Sequence, residues 1–308
     1  MKTLVLTANA NMYYFPWFQD PDIEIASLYQ DCTTFRSKIR LVRRKLGLSQ
    51  RSFYGDWYER LLQFGKIVVL DYCCLLDAKL LGEISRMNSS AELYLYGWNI
   101  DYGKSSFISL KENAERHGFS YYSYDEGICA RYGLKFNTIM YDPKLSLPEC
   151  NIASDVMFVG KVKDRIEDIS RAVASLRDAG AKVTAIVVGD HKPDDLDAGV
   201  LFTSEYIGYA DYLRLAECSV ALLDIAQEGQ LGFSMRVMEA LFLGKKLVTT
   251  NKHVADAPFY ESGNVFILDL ANPDIAALSD FINKPFRPYE LADVEYYSVR
   301  SWVSRFMQ

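Results

Sequence analysis

Gln230-Leu-Gly-Phe-Ser-Met-Arg-Val-Met-Glu-Ala-Leu-Phe-Leu-Gly-Lys-Lys-Leu-Val-Thr-Thr-Asn251 reads as three pieces in succession: a loop containing Gly232, a short helix beginning near Ser234, and a buried strand from Lys246. A helix that begins at a serine turns unpaired backbone N–H groups and the positive end of its dipole toward the preceding loop, which favours an anion there. Arg236, in the first turn, adds a charged donor. Glu239 lies more than a turn beyond Ser234, where a carboxylate is suited to ribose hydroxyls rather than phosphates. The expected ligand is a nucleotide diphosphate carrying a sugar.

Working outward, short apolar runs alternate with helical patterns along the whole chain, the signature of α/β layers around mostly parallel sheets. In the first half the pattern predicts strands at 3–7, 66–70, 92–96 and 119–124. In the second half it predicts strands at 155–160, 182–188, 220–224, 246–250 and 264–268, with helices at 164–179, 210–218 and 274–283 between and after them. Gly180 is the expected stop of the first of these helices. Residues 141–154 hold Pro143 and Pro148 without a period and read as a linker. The expected domains are therefore 1–145 and 155–290, followed by a C-terminal helical segment, 291–308, with an amphipathic stretch at 297–307.

The chain has 308 residues, half of them apolar, enough for two cores. Its most hydrophobic stretch, 67–81, is broken by Asp71 and Asp77 and is too short for a bilayer helix. The N-terminus shows Lys2 and a brief apolar run before Thr7, Asn9 and Asn11, with no secretory pattern, so a cytoplasmic protein is expected. Cys32, Cys73, Cys74, Cys129, Cys150 and Cys218 have no metal-ligand spacing and read as buried reduced thiols. His117, His191 and His253 form no zinc-type motif, so no metal is expected.

A net charge of -6 argues against a general nucleic-acid binder. Yet Arg36 to Arg51 carries seven basic residues and no acid, and Phe35, Ile39, Val42 and Leu46 recur at helical spacing among them. Two readings stay open for this helix: a solvated basic face whose apolar stripe packs on the core, or an amphipathic surface for an anionic membrane.

Three ordered pieces carry a resemblance. Phe158-Val-Gly160-Lys161 looks like a first strand and phosphate-facing turn, Tyr206-Ile-Gly208-Tyr-Ala-Asp-Tyr-Leu213 like a base-side loop and helix, and Ser234 to Lys246 like a donor-binding helix. Over about residues 155 to 270 the chain resembles the nucleotide-binding domain of GT-B glycosyltransferases, most closely small bacterial enzymes of lipopolysaccharide or capsular polysaccharide assembly. The resemblance implies two Rossmann-like domains facing a cleft. It also implies transfer of a sugar from a nucleotide-diphosphate donor to a glycan or lipid-linked acceptor, without a metal or other cofactor. By the same resemblance, Lys161 and Arg236 would stabilise the leaving diphosphate. Gly160, Tyr206 or Tyr209, Ile207, Gly232, Ser234 and Glu239 would hold the nucleotide. Many retaining members carry two glutamates separated by seven residues. Glu239 matches the second, but Leu231 stands where the first would be, which leaves the stereochemistry open.

The first half offers candidates by position. Asp71 follows the strand at 66–70, at the strand end where open α/β sheets present ligand-facing groups, and is the candidate general base for an acceptor hydroxyl. Asn9 and Asn11 follow the first strand and are candidates for the acceptor. No Ser-His-Asp arrangement or P-loop occurs. The rival functions are a nucleotide-sugar epimerase on the same scaffold and a noncatalytic nucleotide-sugar binding or assembly subunit.

Overall fold

The computed structural model describes residues 1–30, 34–71, 79–99, 104–142, 150–161 and 165–307. Cys32, Cys73, Cys74 and residues 143–149 of the expected linker lie outside them. The chain divides into two compact units, Met1–Thr138 with Arg300–Gln308, and Ile139–Val299.

The first unit is built on strands β1 (Thr3–Thr7), β2 (Ile23–Ser27), β3 (Lys66–Asp71), β4 (Glu92–Gly97), β5 (Ser120–Ser123) and β6 (Lys135–Phe136). They form one parallel sheet in the order β2-β1-β3-β4-β5-β6. Helices α1 (Thr34–Lys45), α2 (Leu80–Met87), α3 (Lys104–Arg116) and α4 (Glu126–Tyr132) alternate with the strands. Because neighbouring side chains in a strand point to opposite faces, Leu4, Leu6, Ile67, Val69, Leu93 and Leu95 line one side of the sheet. That side packs against Leu81 and Ile84 of α2, Phe107 of α3 and Ile128 of α4.

The second unit contains β7 (Ser154–Lys161), β8 (Val183–Val188), β9 (Val200–Thr203), β10 (Ser219–Asp224), β11 (Lys246–Thr249) and β12 (Val265–Ile267). They too are all parallel, in the order β12-β11-β10-β7-β8-β9. Its helices are α5 (Ile166–Asp178), α6 (Tyr209–Glu217), α7 (Met235–Phe242), α8 (Ile275–Asn283) and α9 (Leu291–Tyr296). Gly180 follows α5 at φ 84°, a left-handed conformation that costs glycine little, and ends it as expected.

The last helix, α10 (Val299–Ser304), supplies residues that group with the first unit. There Trp302 meets Tyr96 edge-on at 5.0 Å between ring centroids, and Phe306 lies against Tyr94 at 5.0 Å, covering the second face of the first sheet. Lys66, which opens β3, turns its buried ammonium onto the carbonyls of Val303 and Phe306. Lys246, which opens β11, does the same for α8 through the carbonyls of Phe281 and Ile282. Each lysine satisfies carbonyls that a helix end leaves without partners.

Two sequence expectations need correction. Strands β2, β6 and β9 were not expected; all three are sheet edges, half-exposed or exposed, so they lack the continuous apolar run of an inner parallel strand. Cys150 and Cys218 are a disulfide rather than two reduced thiols, with Cα atoms 5.6 Å apart. Their approach follows from the N–H groups of Ala153 and Ser154, which donate to the Cys218 carbonyl and so draw the chain entering β7 along the end of α6. Cys129 is buried and free, as expected.

Candidate active site

In the second sheet the chain runs from β7 outward to β9, then crosses back to β10 and runs outward the other way. Strands β7 and β10 are therefore neighbours at the point where strand order reverses, and ligands of open α/β sheets bind beyond the carboxyl ends of such a pair. The loop after β10 and the start of α7 lie at this end.

Asp224, the last residue of β10, organises that loop. It is buried and accepts hydrogen bonds from Ser234 Oγ at 2.7 Å and Thr249 Oγ1 at 2.8 Å, with an Arg236 Nη1 at 3.8 Å. Ser234 in turn caps α7, its hydroxyl oxygen accepting from the N–H groups of Arg236 and Val237. The carbonyl of Gly232 receives the side-chain amides of Gln230 at 2.8 Å and Asn251 at 3.2 Å, which fixes the preceding turn. The N-terminus of α7 is thus positioned by a carboxylate behind it, and two of its donors are already used by the cap.

Positive charge comes from two arginines. Arg236 donates to the Val159 carbonyl at 2.5 Å and lies 4.7 Å above the centre of the Phe158 ring. Gly160 allows this stack, since a Cβ there would come within 2.7 Å of the buried Phe158 ring. Burial works against the Arg236 charge, but Tyr212, Asp224 and Glu239 outweigh it and raise its pKa. Arg165, just before α5, donates to the Ile225 carbonyl. Burial and then the neighbouring Arg236 charge lower the pKa of Arg165. The Nε of each guanidinium is buried and has no hydrogen-bond partner among the described residues. Two like charges held together with donors to spare are the surroundings an anion neutralises. Lys161 is exposed at the end of β7.

Glu239 lies on the buried side of α7. Oε1 accepts from the Tyr209 hydroxyl at 2.9 Å and Oε2 from that of Tyr212, while Tyr209 also shares a 2.7 Å hydrogen bond with Tyr141. Burial pushes its carboxyl up to about 7 against the opposing pull of Tyr212, Arg236 and Tyr209. Tyr206 is 78% exposed and Ile207 half-buried, whereas Tyr209 and Tyr212 stack on each other at 5.7 Å beside the carboxylate.

The second unit thus gathers Gly160, Gly232, Ser234, Arg236 and Glu239. Lys161, Tyr206 and Ile207 belong to the same unit but to none of these contacts, and Asp71, Asn9 and Asn11 belong to the first unit. Asp71 ends β3, fully buried, in register with Gly97 of β4. Asn9 uses its side-chain oxygen to accept from the N–H of exposed Asn11 at 2.9 Å. Sequence reasoning missed Arg165, Asp224 and Asn251. Asp224 could have been found by the logic that singled out Asp71, since Val220-Ala-Leu-Leu-Asp224 is also an apolar strand ending in an acid.

Residues 153–283 match the family described as glycosyl transferases group 1, a segment that contains Gly160, Arg165, Asp224, Gly232, Ser234, Arg236, Glu239 and Asn251. No curated protein matches the chain. Among solved structures, the chain is similar to AviGT4, a glycosyltransferase involved in avilamycin A biosynthesis, at 13% identity and a TM-score of 0.53, covering 99% of this chain and 96% of that one. It is also similar to OtsA, at 10% identity and 0.56, covering 99% and 98%. A third likeness is to an alpha,alpha-trehalose-phosphate synthase (UDP-forming) from Burkholderia xenovorans, at 8% identity and 0.52, covering 100% and 99%. At these identities the likeness concerns the fold, two parallel α/β units of the GT-B type. Fold and family match together are those of a glycosyltransferase enzyme.

Proposed function

We propose that the enzyme moves a sugar from a nucleoside-diphosphate donor to a glycan or lipid-linked acceptor in bacterial surface polysaccharide assembly, at the cytoplasmic face of the membrane. The observation that carries the donor half is the Arg165–Arg236 pair beside the capped start of α7, a concentration of positive charge at the carboxyl end of the reversal-point strands. As the bond between the sugar and the diphosphate breaks, negative charge grows on the leaving group. Fixed guanidiniums facing it stabilise the transition state more than the bound donor. Since Ser234 already bonds two N–H groups of α7, the arginines and Lys161 take most of this role, and the helix terminus less. That cationic set is the reason to expect turnover without a metal. Glu239 is proposed to receive the ribose once Tyr209 releases it, and Asp71 to take the acceptor proton in an inverting transfer. Like-folded alpha-glucosyltransferase structures contain UDP, which suits this class of donor.

The cytoplasmic reading follows from the donor, and the Cys150–Cys218 disulfide pulls against it, because such bonds persist mainly outside reducing compartments. Leu231 in the place of an expected glutamate favours the second reading, a noncatalytic nucleotide-sugar binding subunit.

A thermal-shift panel of UDP, GDP, CDP, ADP and CMP tests the donor site: one diphosphate at a hundredfold its dissociation constant should stabilise the fold by about 2.7 kcal/mol. Incubation with the corresponding nucleotide sugars should then release nucleotide, with or without EDTA. Binding without release, for every donor and acceptor mixture, would establish the noncatalytic reading instead.

A further inference from the structure

Helix α1 engages three of its arginines with the first unit and leaves its apolar stripe in solvent. The Arg40 guanidinium lies 4.0 Å from the centre of the Tyr29 ring, Arg36 lies 5.8 Å from that of Phe53, and Arg43 donates to the Ser49 carbonyl at 2.9 and 3.2 Å. These three follow helical spacing and clasp the helix to the aromatic surface of the first unit. The adjoining stripe is left facing solvent: Phe35 is 72% exposed, Val42 56% and Leu46 68%, with Ile39, Leu41 and Leu48 also exposed. Lys38 and Lys45 are exposed as well. Residues 34–55 contain no acid. Single exposed apolar side chains are ordinary, but Phe35, Ile39, Val42 and Leu46 recur at helical spacing and form a stripe that an aqueous surface helix avoids.

We propose that this face of α1 docks the first unit on an anionic lipid bilayer, the apolar stripe entering the boundary between headgroups and acyl chains and the cations lying among the phosphates. This deepens the lipid-linked acceptor reading, although it rests on α1 alone. Charge complementarity selects the occupant. Two copies of the face meeting about a twofold axis would set the exposed Lys38 and Lys45 of one against those of the other. A nucleic acid would leave the apolar stripe unexplained and would compete for arginines already spent on rings and carbonyls. A bilayer with anionic headgroups satisfies both halves of the face at once.

Vesicle flotation at low salt tests the proposal, with vesicles of phosphatidylglycerol mixed with phosphatidylcholine against phosphatidylcholine alone. The full chain should float with the anionic vesicles, lose most of that binding in high salt, and stay in solution with neutral ones. The double variant Val42→Ser, Leu46→Ser changes only exposed side chains and should lower the fraction bound at least tenfold. Lys38→Gln with Lys45→Gln should lower it and weaken its salt dependence. Nucleotide-induced thermal shifts should match wild type in all variants, which separates this surface from the donor site. Absence of flotation with anionic vesicles at low salt overturns the proposal, as does unchanged flotation of the serine variant. A wild-type dimer that fails to float and that the serine variant dissociates would overturn it in favour of a second copy.

Discussion

Both sheets end the first strand after their crossover in a buried aspartate, yet the two acids keep different company. Strand order reverses between β1 and β3 in the first sheet and between β7 and β10 in the second; Asp71 closes β3 and Asp224 closes β10. Asp224 is engaged by two hydroxyls and faces Arg236, so its work is to hold a loop, a helix start and a guanidinium in place. Asp71 is fully buried in register with Gly97 of β4, and its carbonyl accepts from the N–H of Trp98. Position at a strand end marks where a parallel sheet meets its ligand, but the role of the acid comes from what surrounds it.

The largest expected effect separates the two acids most sharply. If Asp71 is the base that takes the acceptor proton, Asp71→Asn lowers kcat about 10²- to 10⁴-fold while donor affinity, read by calorimetry, stays as in wild type. Retention of kcat in that variant would make both aspartates structural and dissolve the contrast.

Asp224→Ala approaches the comparison from the other side. It leaves two hydroxyls and a buried guanidinium without their acceptor, and removal of one partner from such a pair costs about 3–5 kcal/mol. Urea unfolding should show this loss, and Asp224→Asn, which keeps an oxygen for Ser234 or Thr249, should recover part of it. A loss below about 1 kcal/mol for the alanine variant would mean that the loop does not depend on Asp224.

Glu239 supplies a third buried acid and a smaller effect. Its carboxyl moves from an ordinary 4.5 up to about 7 in the folded protein, chiefly through burial. Between those values the unfolded chain gives up a proton that the folded chain keeps. The stability it contributes is therefore complete below pH 4.5 and is lost as pH rises through 7, a change of roughly 3 kcal/mol. Glu239→Gln should flatten the unfolding free energy over that window. The same slope in wild type and variant would assign the pH dependence to other groups.

Much of the fold was legible because inner strands of a parallel sheet are buried on both faces and so read as unbroken apolar runs. Strands β1, β3, β4, β7, β10 and β11 all announce themselves in this way. Edge strands β2, β6 and β9 have at least one face in water and merge with the loops around them. Ser234 was legible as a helix start because a serine ahead of an apolar period is a capping signal, and the structure shows its hydroxyl in that use. Arg165 was not legible, because nothing local distinguishes it from any other cation that precedes a helix.

The order of residues by itself determined two α/β units, the strand–loop–helix at Gln230 to Asn251, and a helix with cations beside an apolar stripe, since these depend on periodicity and capping within a few turns of chain. Only the tertiary structure decided that Glu239 is clasped by Tyr209 and Tyr212, that Arg165 joins Arg236, and that α1 lays Arg40 on Tyr29 while its apolar stripe stays in solvent. Those outcomes rest on contacts between distant segments, and a helical period states only that a stripe exists, with no account of which neighbour will cover it.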